Sequence, residues 1–252
     1  MRETTALGDQ RRPRSHAPGR RLLRARTAAV LLLAAAAASA TSCVTVTHDA
    51  GPGRGAGPRV DTGVVMNAPL TGRQARILEA ADEILSTQRL VVGGYQYAYD
   101  CTGTILAIYA MAGVRLVDLF PNYSGNGVTR LYGIAEDRDL LYHSEYPQPG
   151  DLIFWDNTYD KNGDKRWNDQ LTHVGLVLSV EPGGTVEYLH HHYREGVVTA
   201  RMNLRDPDTY VADDGIVVNS PMRMRSHRYL NPDEWLASHL YRRLGALHRI
   251  EL

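Results

Sequence analysis

Three side chains in this chain could together break an acyl bond, and their order along the sequence is what suggests it. Cys101 follows Asp100 and opens "CTGTILAIYAMAG", whose apolar residues recur at helical spacing. A cysteine at a helix start sees the positive end of the helix dipole, which predicts a lowered pKa and a thiolate nucleophile. His173 begins the strand-like run "HVGLVLSV", and His190 ends the next one, "TVEYLH". An imidazole at a strand edge facing a helix layer can serve the thiol as base, and a second histidine on the neighbouring strand can orient the first. Strand alternation points His191 away from His190 and puts His192 on the face of His190. Plainer readings exist: Cys101 as a small core residue, His173 as a structural histidine. With the strand register shifted, His192 or Glu187 would stand in for His190.

The elements that must hold these residues follow from periodicity. "TGRQARILEAADEILST" reads as an amphipathic helix with Ile77, Ala81, Ile84 and Leu85 inward and Thr71 as cap. The Cys101 helix buries Ile105, Leu106, Ile108, Tyr109 and Ala112 and ends at Gly113. A third helix lies in "GNGVTRLYGIAEDRDLL", with Val128, Leu131, Tyr132 and Ala135 inward. After "PQPGD" the pattern turns to strands: "LIFW", "THVGLVLSV", "TVEYLH" and "GVVTARM", with a hairpin turn at Pro182 to Gly184. "GIVVNSPMRMR" reads as a further strand. "NPDEWLASHLYRRLG" reads as a closing helix, with Asn231 as cap, Pro232 in the first turn and Glu234 at the third position. Helices first and strands later predict an α+β fold on an antiparallel sheet, not a doubly wound one.

The N-terminal part has another character. Residues 1–26 hold eight arginines and no lysine, followed by the uncharged run Thr27 to Ala40. That run is short of the roughly 20 apolar residues a membrane span needs. A basic flank, an apolar stretch and small residues together make an export signal. "ATSC" ends it and resembles a bacterial lipobox, with Ala40 where leucine is usual. The resemblance implies diacylglycerol on Cys43 and cleavage before it. The expected organisation is a signal peptide at 1–42, a lipidated flexible linker at 43–66, Gly- and Pro-rich between His48 and Arg59, and one domain at 67–252. An envelope location follows, lipid-anchored to a membrane, on the periplasmic or outer-membrane side in a double-membraned cell.

Four segments in order carry a family resemblance: "YDCTGTILAIYAMAGV", "PQPGDLIFW", "THVGLVLS" and "EYLHHHYREGV". They resemble the NlpC-type cell-wall cysteine peptidases and, more distantly, the CHAP amidases. The similarity runs over most of Leu85 to Arg201. It implies a papain-like α+β core, N-terminal helices carrying the nucleophile against a central antiparallel sheet. It also implies cleavage of peptidoglycan stem peptides, usually between D-glutamate and diaminopimelate. Residue by residue, Cys101 is then nucleophile, His173 base and His190 orienter. Tyr95, Tyr97 or Tyr99 supplies the substrate-side tyrosine, with Tyr95 preferred, and Asp100 and Thr102 flank the substrate. Thr102 replaces the family's usual serine and keeps its hydroxyl.

The stretch between "LIFW" and "THVG" is longer than in that family. Within it Asp160, Asn162 and Asp164 match positions 1, 3 and 5 of an EF-hand-like calcium loop, but Lys165 holds the glycine position and Leu171 the acidic position 12. A calcium ion there would be structural; otherwise the segment is a solvated polar loop. No cofactor is required for the chemistry. Cys101, His173 and His190 are also zinc-type donors, so a zinc-binding protein is an alternative, as is a catalytically silent wall-binding lipoprotein. Transfer to an amine instead of water would use the same three residues. The 28 basic and 28 acidic residues balance, which argues against a general nucleic-acid footprint. The expected partners are peptidoglycan and, through the anchor, a membrane, with the protein a monomer.

Overall fold

A computed structural model describes residues 69–85 and 87–252. The export segment, Cys43, the linker and the expected domain start at Asn67 lie outside the described residues. Helix α1 spans Gly72–Leu85 and buries Ile77, Ala80, Ala81 and Ile84. Its start is a reciprocal cap. The Gln74 N–H donates to Thr71 Oγ1, while Gln74 Oε1 accepts from the Thr71 N–H at 3.0 Å. A small hairpin follows, β1 (Val91–Val92) and β2 (Tyr95–Gln96), turned by Gly93 and Gly94 at φ 57° and 81°. Helix α2, Cys101–Met111, is buried from Gly103 to Tyr109. After a 3₁₀ turn at Leu116–Asn122 comes α3, Gly127–Glu136, with Val128, Leu131, Ile134 and Ala135 inward.

The remaining elements form one sheet. In chain order they are β3 (Leu141–Tyr142), β4 (Leu152–Trp155), β5 (His173–Val180), β6 (Thr185–His192), β7 (Gly196–Asn203) and β8 (Tyr241–Gly245). In space the order is β3-β8-β4-β5-β6-β7, with every neighbouring pair antiparallel. The architecture is therefore mixed α+β, with helices packed on a central antiparallel sheet. Alternation divides β4: Leu152 and Phe154 join the helix-side core with Ile77, Ile105, Ile108 and Leu131. Ile153 and Trp155 face the other side, with Val177, Val186 and Tyr188. Antiparallel sheets often leave one face wet. Here Met222, Ala237 and Leu240, from the long irregular excursion 204–240, cover it.

Two sequence expectations about that excursion are corrected. "GIVVNSPMRMR" is not a strand; it makes only isolated bridges, Val211 to Val217 and Pro221 to Leu236. Asn219 shows why. Its buried side chain accepts from the Asn203 N–H at 2.7 Å and donates to the carbonyls of Asp206 and Thr209 at 2.7 and 2.9 Å. A side chain thus does the work of a strand backbone, and Pro221 has no N–H to offer a ladder. The closing helix is also absent. Asn231 still touches Glu234, at 3.0 Å, but the Trp235 carbonyl is taken by the Met222 and Arg223 N–H groups. Tyr241–Gly245 then enters the sheet between β3 and β4. Tertiary pairing overrides the local helical pattern.

Candidate active site

Cys101 is the first residue of α2, and the chain before it doubles back tightly. Asp100 caps the helix, its Oδ1 accepting from the Gly103 N–H at 2.7 Å. A Cβ on Gly103 would lie 1.9 Å from the Ala98 carbonyl oxygen, so only glycine permits this approach. The cap consumes the third N–H of the helix and leaves those of Cys101 and Thr102 with no intrahelical acceptor. Thr102 lies against Gly127, where a Cβ would come 2.4 Å from its Cγ2. The starts of α2 and α3 are therefore packed together. Asn126 caps α3 by accepting from the Thr129 N–H at 2.8 Å.

The histidines come from the sheet. His173, opening β5, pairs with Trp155 at the end of β4, and His190 on β6 stands opposite Gly175. Gly175 has a spatial reason: a Cβ would meet the Leu189 carbonyl at 2.9 Å and the Trp155 ring at 3.0 Å. The Trp155 indole is fully buried, donates to the Ala237 carbonyl at 2.8 Å and lies 5.8 Å from the His173 ring. His173 Nε2 and His190 Nδ1 are 2.9 Å apart, which leaves His173 Nδ1 for another partner. His191 points to the opposite sheet face, meets Tyr99 edge-on at 4.6 Å and still lines the cleft, as does His192, 6.2 Å from His190. Ahead of His173, Leu171 adopts φ 51°, a costly conformation for this residue. Its N–H donates to Asp156 at 2.7 Å and its carbonyl accepts from Asn126 at 3.3 Å. Asp156 is fixed in turn by Arg242 at 2.8 Å.

Cys101, His173 and His190 line one cleft of about 530 Å³. The Cys101 thiol is free, keeps part of its surface open, and is within hydrogen-bonding reach of the Val174 N–H, next to His173. Its electrostatics reverse the sequence expectation of a thiolate. Burial, then the Asp100 charge, pushes the thiol up to about 11. Desolvation outweighs the helix dipole and the hydrogen bonds to sulfur. Burial, then the neighbouring His191 and His192, pulls His173 down to about 3, and His190 falls well below the ordinary histidine range for the same leading reason. The resting pair is a neutral thiol and a neutral imidazole.

Other sequence candidates fare differently. Asp100 and Thr102 line the cleft. Tyr95 does not; it is 48% exposed on β2 and packs against Tyr97. Tyr159 and Tyr193 line the cleft in its place, with Met222 and Met224. Tyr159 follows β4 closely, a signal the sequence did offer. The methionines come from a segment whose path is set only by tertiary contacts. Asp160, Asn162 and Asp164 form a self-capped loop: Asp160 accepts from the Gly163 and Lys165 N–H groups, Asn162 from Asp164, and Asp164 from Arg166. Lys165 takes φ 61° at the position where the calcium-loop pattern asks for glycine. Among the described residues, no group of three or more His, Cys, Asp or Glu could hold a metal ion, and no helix is long and apolar enough to cross a membrane. No protein-family model, curated protein or solved structure matches the chain.

Proposed function

We propose that the protein is an exported cysteine hydrolase that cuts an amide bond in peptidoglycan stem peptides, the D-glutamyl–diaminopimelate bond foremost. It acts as a monomer, anchored in the envelope through a lipid on Cys43, and its core is of the papain-like NlpC type. The observation that carries this reading is the 2.9 Å contact of His173 Nε2 with His190 Nδ1 in the cleft lined by Cys101. A histidine held by one ring nitrogen keeps the other free to serve a thiol in the same cleft, and nucleophilic catalysis requires that approach when substrate binds.

In this mechanism Cys101 sulfur attacks the carbonyl carbon while its proton passes to His173 Nδ1. Concerted transfer suits the neutral resting pair, because neither an isolated thiolate nor an isolated imidazolium has to persist in a dry site. The oxyanion accepts from the Cys101 N–H, since the Thr102 N–H is directed to the Cys101 sulfur. The C–N bond then breaks, the amine leaves with the proton from His173, and a thioester remains. Water attacks the thioester, giving its proton to His173, and the carboxylic acid and the free thiol are released. His190 acts by fixing the His173 ring.

The zinc-binding alternative draws less support, since the two imidazoles are turned to one another at hydrogen-bond distance. The test is digestion of purified sacculi followed by mass analysis. Wild type is expected to release fragments with new amine and carboxyl ends in the stem peptide, and Cys101→Ala none. Tight binding of sacculi with no fragments from wild type would instead identify a silent wall-binding protein.

A further inference from the structure

The cleft around Cys101 is uneven in charge. Its far wall is Tyr159, Met222 and Met224, and Val128 closes the α3 side. Among the described residues no arginine or lysine lines it, in a chain that has 28 of them. Asp100 is the only carboxylate of the lining, and its cap to Gly103, at 2.7 Å, holds that charge beside the nucleophile. Arg194 is next in sequence to the lining residue Tyr193, but its guanidinium lies over that ring, 5.2 Å from the centroid, and does not line the cleft. Burial keeps the imidazoles of His173, His190 and His191 toward their neutral forms. The fourth imidazole of the lining, His192, already accepts the Glu195 N–H on Nδ1 at 3.3 Å and has the Glu195 carboxylate 3.7 Å away. An anionic group entering this space would lose its water, find no guanidinium or ammonium to pair with and face Asp100. A carboxamide of the same shape would meet none of these penalties and could hydrogen-bond to hydroxyls and amides of the wall.

We propose that the cleft selects substrates whose groups beside the scissile bond are uncharged, so that its stem peptides carry carboxamides where the unmodified peptide carries carboxylates. The substrate half of this rests on the stem-peptide reading; the charge selectivity does not. A γ-glutamyl bond to diaminopimelate ordinarily has a free carboxylate on each partner, so amidation changes the charge on both sides of the cut.

The test has two arms. In the first, the purified full chain reacts with iodoacetamide and with iodoacetate, and modification of the Cys101 peptide is followed by mass, with glutathione as reference thiol. The amide-to-acetate rate ratio of Cys101, divided by that of glutathione, is expected at about tenfold or more. A ratio at or below unity overturns the proposal. Met224 is half-buried, so Met224→Lys can carry an ammonium into the cleft. It is expected to lower the ratio about fivefold or more, with Met224→Gln close to wild type. An unchanged ratio in Met224→Lys, with the fold intact by circular dichroism, also overturns it. In the second arm, two stem peptides differ only in carboxylate against carboxamide beside the bond. Faster cleavage of the carboxamide, by about tenfold or more in kcat/KM, supports the proposal, and preference for the carboxylate overturns it. Alkylation selectivity with neither peptide cut removes the stem-peptide reading and leaves the uncharged cleft standing.

Discussion

At the scale of single residues, Cys101 and His173 are bound by opposite shifts with one cause. Burial raises the thiol to about 11 and lowers the imidazole to about 3, so both are neutral at physiological pH. Alkylation of Cys101 by a neutral reagent is therefore expected to rise with pH through the ordinary thiol value of 9.0 toward about 11. A rate already level between about pH 6 and 8 would mean a thiolate–imidazolium pair and contradict this electrostatic account. His173→Ala is expected to lose stem-peptide cleavage as fully as Cys101→Ala. His190→Ala should retain more, since it removes ring orientation and not the base; a loss of about 10- to 1000-fold in kcat is expected. If His190→Ala is harmless and His192→Ala is not, the 2.9 Å contact has no catalytic meaning. The sequence made the identity of these residues legible through "DCTG" and "HVG" but not their protonation, because burial is a property of the assembled cleft. It also favoured Tyr95 over Tyr97 and Tyr99, and Tyr95 opens a two-residue strand too short to read, whereas Tyr159 lines the cleft.

At the scale of elements, the glycines two positions after Cys101 and His173 are explained by what crosses them. Gly103 admits the Ala98 carbonyl, and Gly175 admits the Trp155 ring. Gly103→Ala is expected to destabilise the domain by about 3 kcal/mol or more, because backbone and not a flexible side chain must move. Gly183→Ala, where nothing lies within 4 Å, serves as the comparison and should fall within about 0.5 kcal/mol of wild type in chemical denaturation. Equal effects would mean that the close approach is not a determinant. The self-capped loop carries a separate expectation. If Asp160, Asn162 and Asp164 bind calcium, millimolar calcium raises the melting temperature and chelator lowers it together with the catalytic rate. Superimposable melts would leave a loop held by its own N–H groups. Strands β5, β6 and β7 were legible from alternation and the Pro182 to Gly184 turn. Strand β8 was not. "LYRRLG" follows a helix-cap pattern at Asn231, and only the slot between β3 and β4 makes it a strand.

At the scale of the whole molecule, stability should depend on acid in a defined window. The unfolded chain protonates His173 near its ordinary value of 6.5, whereas the fold holds it down to about 3. The folded state thus binds fewer protons between those values. Its advantage is complete above 6.5 and is lost as pH falls toward 3. His190, shifted in the same direction, adds to the effect. The unfolding free energy from urea titration is expected to fall steadily from about pH 6.5 to 4, by up to about 1.4 kcal/mol per pH unit for each histidine so held. His173→Gln should flatten that slope, and an unchanged slope would show that other groups govern acid unfolding.

The placement of β8 has a consequence in time. Strands β3 and β4 are near neighbours in sequence, yet the gap between them is filled by residues from Tyr241 to Gly245, which follow every other strand in chain order. Contacts this distant carry the larger loop-closure cost, so β8 is expected to dock late. Trp155, which seats His173, is paired with Tyr241 and hydrogen-bonded to the Ala237 carbonyl. His173 would then gain its backing only when the most remote segment docks. A half-folded molecule would have its thiol and its histidines but no finished seat for them, so reactivity that depends on the seated cleft is expected only once the whole chain has folded.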